Sequence, residues 1–454
     1  MFRKISALFE GDGYAARASR GSVLMAVNFG GQNALRLASN LLLTRLLFPE
    51  AFGLMALVQL VIAGVGMFSD FGLRGAIVSD PRGNDPAFLN TAFSLQILRG
   101  FVLALVVLFL ADPMARFYGE PQLAEILMLS ALIPLISGFN STRIFSASRE
   151  LMLGRLTILM LTSQSSGILA MILLAWWMQS VWALAIGGVV TVIVLAVLSH
   201  LILPGPANRL HFEWAAARRL FGFGKYIFLA TLSTFIIAQG DKAILGKYVS
   251  LDDLAIYNIG FFLASVMWLL SRNLNDQIVF PLYARKPPAE SEDSRRKLNK
   301  ARFGLTGVVM LGTGALALIG VPLVELLYDP RYEAAGPVLV LVALVAMPRL
   351  ITQSYEKLPL AAGHSGRYAV IMTSSAAAQL LLTLIGVEAY GLIGAIFAPL
   401  LSWCLVYPLI VYIARPYKGW SPLHDLTYML VALGFAALTL WLWYDDLARM
   451  LPWP

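Results

Sequence analysis

The sequence predicts an all-α polytopic membrane protein: two parallel-repeat six-helix lobes around a central cavity, plus about one extra C-terminal helix. Three observations carry that prediction. Apolar residues make up 59% of the 454 residues and charged residues only 13%. An ordinary soluble domain carries about a quarter charged residues, so the bilayer must be the solvent for most of this surface. Mean hydropathy is +0.74, and apolar runs of about 20 residues recur from end to end. The first six of these runs are echoed by the next six. The composition also excludes whole classes. A lone Cys404 cannot pair within the chain, which rules out a disulfide scaffold. His200, His211, His364 and His424 lie far apart without ligand spacing, so neither a metal centre nor a cofactor is expected.

In order, the predicted spans are 22–47, 52–73, 87–111, 122–145, 156–177 and 181–203. They continue at 220–246, 253–280, 303–328, 334–358, 367–387, 391–414 and 424–444. The N-terminal 20 residues are too polar for a signal peptide and read as a cytoplasmic tail, in which Phe2, Ile5, Leu8 and Phe9 suit a short helix on the membrane surface. With the N-terminus inside, inner segments hold 24 of the 34 basic residues. Outer segments keep only Arg45, Arg116, Lys247, Arg331 and Arg449. This asymmetry sets the topology. It also accounts for the +8 net charge by insertion, so no nucleic-acid partner is implied. The polar insert 284–302 reads as a solvated, mobile linker. No loop is long enough for a catalytic domain, and the chain is not expected to be an enzyme. Trp176, Trp177, Trp182, Trp420, Trp441, Trp443 and Trp453 fall at span ends as an interfacial belt.

The internal repeat is weak but ordered. At an offset of 202, Leu43 to Glu50 falls on Leu245 to Asp252, with Arg45 on Lys247. At 209, Leu89-Asn90 falls on Leu298-Asn299 and Glu120-Pro121 on Asp329-Pro330; at 212, Gly154-Arg155 falls on Gly366-Arg367. Six spans separate the halves, an even number, so both point the same way and the site is expected between them. The expected domains are a tail (1–20), an N-lobe (21–203), a cytoplasmic linker (204–219), a C-lobe (220–415) and a C-terminal appendage (416–454).

A charge at mid-bilayer costs roughly 2.5–3.5 kcal/mol on insertion scales, so such residues face water, a partner or a ligand. Arg36 lies near the middle of the first span, with Asn33 and Asn40 on the same face. Arg99 lies deep in the third span, and Lys242, Arg272 and Arg349 also fall inside spans. Asp241 is counted as the one clear intramembrane acid. Five bases against one acid predict a cationic cavity for an anion. Each residue also has a plainer role open to it. The plainer roles are Arg36 and Arg99 bonding to backbone carbonyls or Ser/Thr of neighbouring helices, Asp241 and Lys242 pairing with each other or a neighbour, and Arg272 reaching the cytoplasmic headgroups.

Two stretches resemble a known family. Leu42 to Ala56 (LLTRLLFPEAFGLMA) and Gln239 to Ile259 (QGDKAILGKYVSLDDLAIYNI) are similar to corresponding segments of bacterial polysaccharide flippases. These form the polysaccharide-transporter branch of the multidrug/oligosaccharidyl-lipid/polysaccharide exporter superfamily. The resemblance covers roughly residues 20–415 in helix order. It implies a multi-pass protein of the bacterial inner membrane that passes a polyprenyl-pyrophosphate oligosaccharide to the outer leaflet. It also implies cationic cavity residues on the pyrophosphate, for which Arg36 and Arg99 are the candidates by location; Asn33, Asn40, Lys242, Arg272 and Arg349 are the further candidates for substrate binding from their place in the spans. Asp241 is the candidate for proton or sodium coupling. Membrane lipids and a glycan polymerase of the same pathway are the implied partners. Two alternatives share the fold: a lipid II flippase for peptidoglycan, and a drug or cation exporter, which would want an acidic or aromatic cavity.

Overall fold

The computed structural model describes residues 14–68, 73, 77, 80–150, 152–224, 228–285 and 287–450, and among them the regular structure is helical throughout. The first half runs α1 (Tyr14–Leu46), α2 (Pro49–Phe68), α3 (Pro86–Tyr118), α4 (Pro121–Ser130), α5 (Leu132–Ser137), α6 (Arg143–Arg149), α7 (Leu153–Met178), α8 (Trp182–Leu201) and α9 (Trp214–Gly224). The second half begins with α10 (Phe228–Tyr248) and α11 (Leu251–Leu274). A π-helical turn, Asn275–Val279, leads into α12 (Phe280–Arg285). Then come α13 (Glu292–Leu318), α14 (Gly320–Leu327), α15 (Ala335–Gln353), α16 (Leu358–Ala361), α17 (Ser365–Ala414), α18 (Pro422–Leu442) and α19 (Tyr444–Ala448).

Among the described residues, nine helical segments are long and apolar enough to cross a membrane. One, Ser365–Tyr417, supplies two of the predicted spans. Its backbone leaves helical geometry at Tyr390 and at Gly391, where φ is +58°, a region open to glycine without strain. A Cβ on Gly394 would fall 1.8 Å from the Gly386 carbonyl oxygen. Eight residues along a straight helix would be about 12 Å apart, so the chain turns back there, and only glycines permit that approach. The predicted span 122–145 is broken into α4, α5 and the start of α6, and α1 and α10 are absent from the nine. Both carry intramembrane candidates, whose polarity lowers the apolar signal.

The repeat reappears in the helix boundaries. α1 ends at Leu46 and α2 starts at Pro49; α10 ends at Tyr248 and α11 starts at Leu251, again 202 apart. Pro121 opens α4 and Pro330 a 3-10 turn, 209 apart, while α7 and α17 start at Leu153 and Ser365, 212 apart. The predicted linker at 284–302 is corrected: from Glu292 onward it is helical. Ser291 caps α13 by accepting from the Ser294 amide at 3.1 Å. Glu292 and Asp293 occupy the first turn, favourable at a helix N-terminus, and Lys297 pairs with Asp293 one turn on at 2.6 Å. The mixed charges of this insert are helix-supporting pairs. Helix also begins at Tyr14, earlier than the predicted tail boundary, and the proposed surface helix over Phe2 to Phe9 lies outside the described residues.

The chain divides into two compact units. Unit 1 holds the residues up to Leu47 together with Val58–Phe228, and unit 2 holds Phe48–Leu57 together with the residues from Leu229 on. In unit 1, α7 packs along both α1 and α8. In unit 2, α15 is the central element: nearly every side chain from Ala335 to Gln353 is buried, against α11, α13, α17 and α18.

Two segments outside the repeat are fastened differently. Residues 204–213 of unit 1 lie extended against α3. The amides of Arg209, His211 and Glu213 donate to Asn90 Oδ1, Ser94 Oγ and Thr91 Oγ1 at 2.9, 3.0 and 3.0 Å. Arg82 grips Glu213 with two bonds of 2.8 Å while also holding Asp85. α9 then packs Ala216 and Leu220 beside Phe88, Leu89 and Ala92. In unit 2, α18 is held by a buried carboxyl group. Asp425 Oδ2 accepts from Tyr355 (2.7 Å), Tyr407 (2.9 Å) and Trp420 (3.1 Å). His424 meets Asp425 Oδ1 at 2.9 Å and Thr306 Oγ1 at 3.2 Å. Beside this network Arg302, only 1% exposed, donates to the Gly419 carbonyl and lies 4.9 Å from the Tyr355 ring.

Candidate functional site

In unit 1 the predicted face of α1 is present. Asn33 donates to the Phe29 carbonyl at 2.8 Å, and Gln164 of α7 donates to the Gln32 carbonyl at 3.0 Å. Spacing places Asn33, Arg36 and Asn40 on one side of the helix. Arg36 is exposed and the two asparagines are half-buried. Arg99 is half-buried, and its Nη2 donates to the Gly66 carbonyl of α2 at 2.9 Å. That contact fixes the guanidinium plane and ties α3 to α2. Sequence reasoning missed Gln96, one turn before Arg99. Its amide donates to the carbonyls of Ser137, Gly138 and Asn140 at 3.0–3.3 Å, pinning α3 to the end of α5.

In unit 2, Asp241 is 4% exposed and accepts a hydrogen bond from the Tyr257 hydroxyl of α11. Its Oδ1 is buried with no hydrogen-bond partner among the described residues. Leaving such an oxygen unsatisfied in a low-dielectric interior is costly. Its neighbour Lys242 lies 5.2 Å above the Phe261 ring, within cation–π range.

Near the far end of α11, the count of a single intramembrane acid is corrected. Arg272 Nε lies 4.0 Å from Asp276, and Lys357 pairs with the same carboxylate. Glu356 lies within electrostatic reach of Arg272, Arg349 and Lys357. Arg272 and Lys357 thus share Asp276, with Arg349 and Glu356 near enough to act on them electrostatically. Asp276 and Glu356 were readable as acids inside predicted spans, and the four-residue step from Arg272 to Asp276 was the available signal. The π-helical turn begins at Asn275, beside this cluster; such turns gather at functional sites. Arg349 follows Pro348, which interrupts the hydrogen bonding of α15, and donates to Gln379 Oε1 at 3.4 Å. Gln379 in turn donates to the Ile237 carbonyl at 3.2 Å, so α15, α17 and α10 are joined by side chains.

The structure thus groups Arg272 and Arg349 in one network, places Asp241 and Lys242 on α10, and sets Asn33, Arg36 and Asn40 on α1 and Arg99 on α3. Side chains of this kind, set within long apolar helices, define a multi-pass membrane protein. The chain belongs to the polysaccharide biosynthesis protein family, whose model matches residues 42–337. It is 24% identical over 307 residues to the succinoglycan biosynthesis transport protein ExoT of Rhizobium meliloti, covering 67% of this chain and 61% of that protein. It is 21% identical to the lipopolysaccharide biosynthesis protein WzxC of Escherichia coli, over 68% of this chain and 63% of that one. The chain therefore matches just over three fifths of the length of these relatives. Among solved structures, its fold is similar to lipid II flippase MurJ in an inward closed conformation. The TM-score is 0.66 at 12% identity, covering 94% of this chain and all of that one. An inward-facing multidrug resistance MATE family transporter of the MOP superfamily matches with TM-score 0.64 at 14% identity, over 88% of this chain and 99% of that one. At these identities the structural matches speak for the fold alone.

Proposed function

We propose that the chain is a flippase. It moves a polyprenyl-pyrophosphate-linked oligosaccharide, the repeat unit of an O-antigen, capsule or exopolysaccharide, from the inner to the outer leaflet of a bacterial cytoplasmic membrane by alternating access. The observation that carries this reading is the polar, arginine-bearing face of α1 in a member of the polysaccharide biosynthesis family. In the proposal the two six-helix lobes, 21–203 and 220–415, rock about a cavity with the N-terminus inside. Arg36 and Arg99 hold the pyrophosphate while the prenyl chain stays in lipid, and Asn33 and Asn40 bond to its oxygens. Lys242 adds a further positive charge. Arg272 and Arg349, already engaged by Asp276 and Gln379, release those partners as the state changes.

A pyrophosphate diester carries about two negative charges, each worth about 2.3 kcal/mol per 100 mV of membrane potential. Outward movement is then downhill by about 4–5 kcal/mol at 100 mV, inside negative. Asp241 adds coupling to a proton or sodium ion, and a glycan polymerase of the same pathway receives the product.

The test is leaflet transfer of a polyprenyl-pyrophosphate oligosaccharide in proteoliposomes, with lipid II as a parallel substrate. Transfer by the wild type and its loss in folded Arg36→Ala or Arg99→Ala is expected. Asp241→Asn should keep basal transfer and lose the response to an imposed ion gradient. Wild-type transfer of lipid II but of no other glycan, or no transfer of either, would overturn the reading.

A further inference from the structure

A second positively charged place lies in unit 2, among residues that the proposed function does not use. A cavity of about 340 Å³ opens between the start of α13, the turn after α17 and the start of α18, lined by Arg295, Asn299, Arg415, Lys418, Trp420 and Ser421. Three cations face it, and no carboxylate lines it. Two acids touch lining residues: Asp425 accepts from the Trp420 indole at 3.1 Å but is shared with Tyr355, Tyr407 and His424, and Glu292 lies 3.3 Å from Arg295 with its side chain 89% exposed.

The cavity is built into the fold. Arg415 lies 4.7 Å from the Trp420 ring, which holds its guanidinium in place. Asn299 is fixed by the buried Arg302 at 3.3 Å, whose same nitrogen also grips the Gly419 carbonyl. Lys418 sits at φ +52°, a left-handed conformation that favours glycine or asparagine. A lysine kept there is held at a conformational cost. Ser421 opens α18 without spending its side chain on a cap. All three helices bordering the cavity are long and apolar enough to cross a membrane, and the cavity gathers their polar ends on one side. Basic pockets between membrane helices suit phosphate-bearing headgroups.

We propose that this cavity binds a phosphate-bearing anion, supplied either by the headgroup of an acidic phospholipid or by free phosphate. The inference does not rest on the flippase reading, because it concerns a different set of side chains and needs no transport.

The experiment titrates the purified full chain in neutral detergent with phosphatidylglycerol, phosphatidylcholine and inorganic phosphate, reading occupancy by native mass spectrometry and phosphate by equilibrium dialysis. Arg295→Gln and Lys418→Gly each remove one cation; the second also relieves the left-handed backbone, so loss of binding there does not reflect loss of fold. Arg296→Gln and Lys300→Gln remove the same charge from exposed positions of α13 that do not line the cavity. One phosphatidylglycerol or phosphate per chain is expected, with affinity about fivefold weaker for each lining cation removed and unchanged in the two controls. Competition by millimolar phosphate against the lipid assigns the source to the free anion; retention of the lipid assigns it to the headgroup. Equal binding of phosphatidylcholine, or equal losses in lining and control variants, overturns the site.

Discussion

The linker of unit 1 and the C-terminal helix of unit 2 both lie outside the repeat, yet they are fastened by different physics. The linker is held where water competes: Arg82, Asp85 and Glu213 have side chains about one-third exposed. α18 is held by Asp425, 6% exposed, and His424, 1% exposed, where water competes far less for a lost partner. Exposed ion pairs contribute little and respond to salt, whereas a buried hub is costly to break. On these grounds the linker should open before α18 does.

The largest expected effect is at the hub. Asp425→Ala leaves two tyrosine hydroxyls, an indole N–H and an imidazole without their shared acceptor, and should lower stability by about 3 kcal/mol or more, read by unfolding in detergent. A loss below about 1 kcal/mol would break the comparison. Tyr407→Phe removes one donor of several and should cost about 1 kcal/mol. Arg82→Ala should leave global unfolding unchanged while amide hydrogen exchange at Arg209, His211 and Glu213 rises several-fold; equal protection in both proteins would show that the hydrogen bonds to α3 suffice alone.

The smallest effect sharpens the same contrast with pH. Arg82 holds both the Asp85 and Glu213 carboxyls below the usual carboxylate range, through hydrogen bonds first and charge second. Their folded values are depressed, so the pairing is fully present above about pH 4 and is lost only as pH falls through the lowered values. Linker exchange should therefore rise below about pH 4, and rise with added salt, while exchange in α18 should respond to neither.

Much of the fold was legible because the bilayer imposes one rule on every span. Most predicted apolar runs are met by long helices, 122–145 being the exception, and the offsets of 202, 209 and 212 reappear at helix ends. The site was partly legible, since a charge within an apolar run stands out whatever surrounds it. Asp276, Glu356 and Lys357 were missed because they lie near span ends, where sequence does not separate a solvated charge from a paired one. Arg302 read as an ordinary cytoplasmic base, although it is among the most buried side chains in unit 2. Trp420, placed by sequence in an interfacial belt, instead donates to Asp425.

Hydropathy, repeat and charge bias are properties of the chain read in order. They determined a helical membrane protein in two related halves, and they singled out Arg36, Arg99, Asp241 and Lys242. Which charge meets which partner depends on residues far apart in the chain: Arg82 with Glu213, Tyr355 with Asp425, Arg349 with Gln379. Only tertiary packing decided those meetings, because an ion pair or a buried hydrogen bond acts over a few ångströms of space and leaves no period in the sequence.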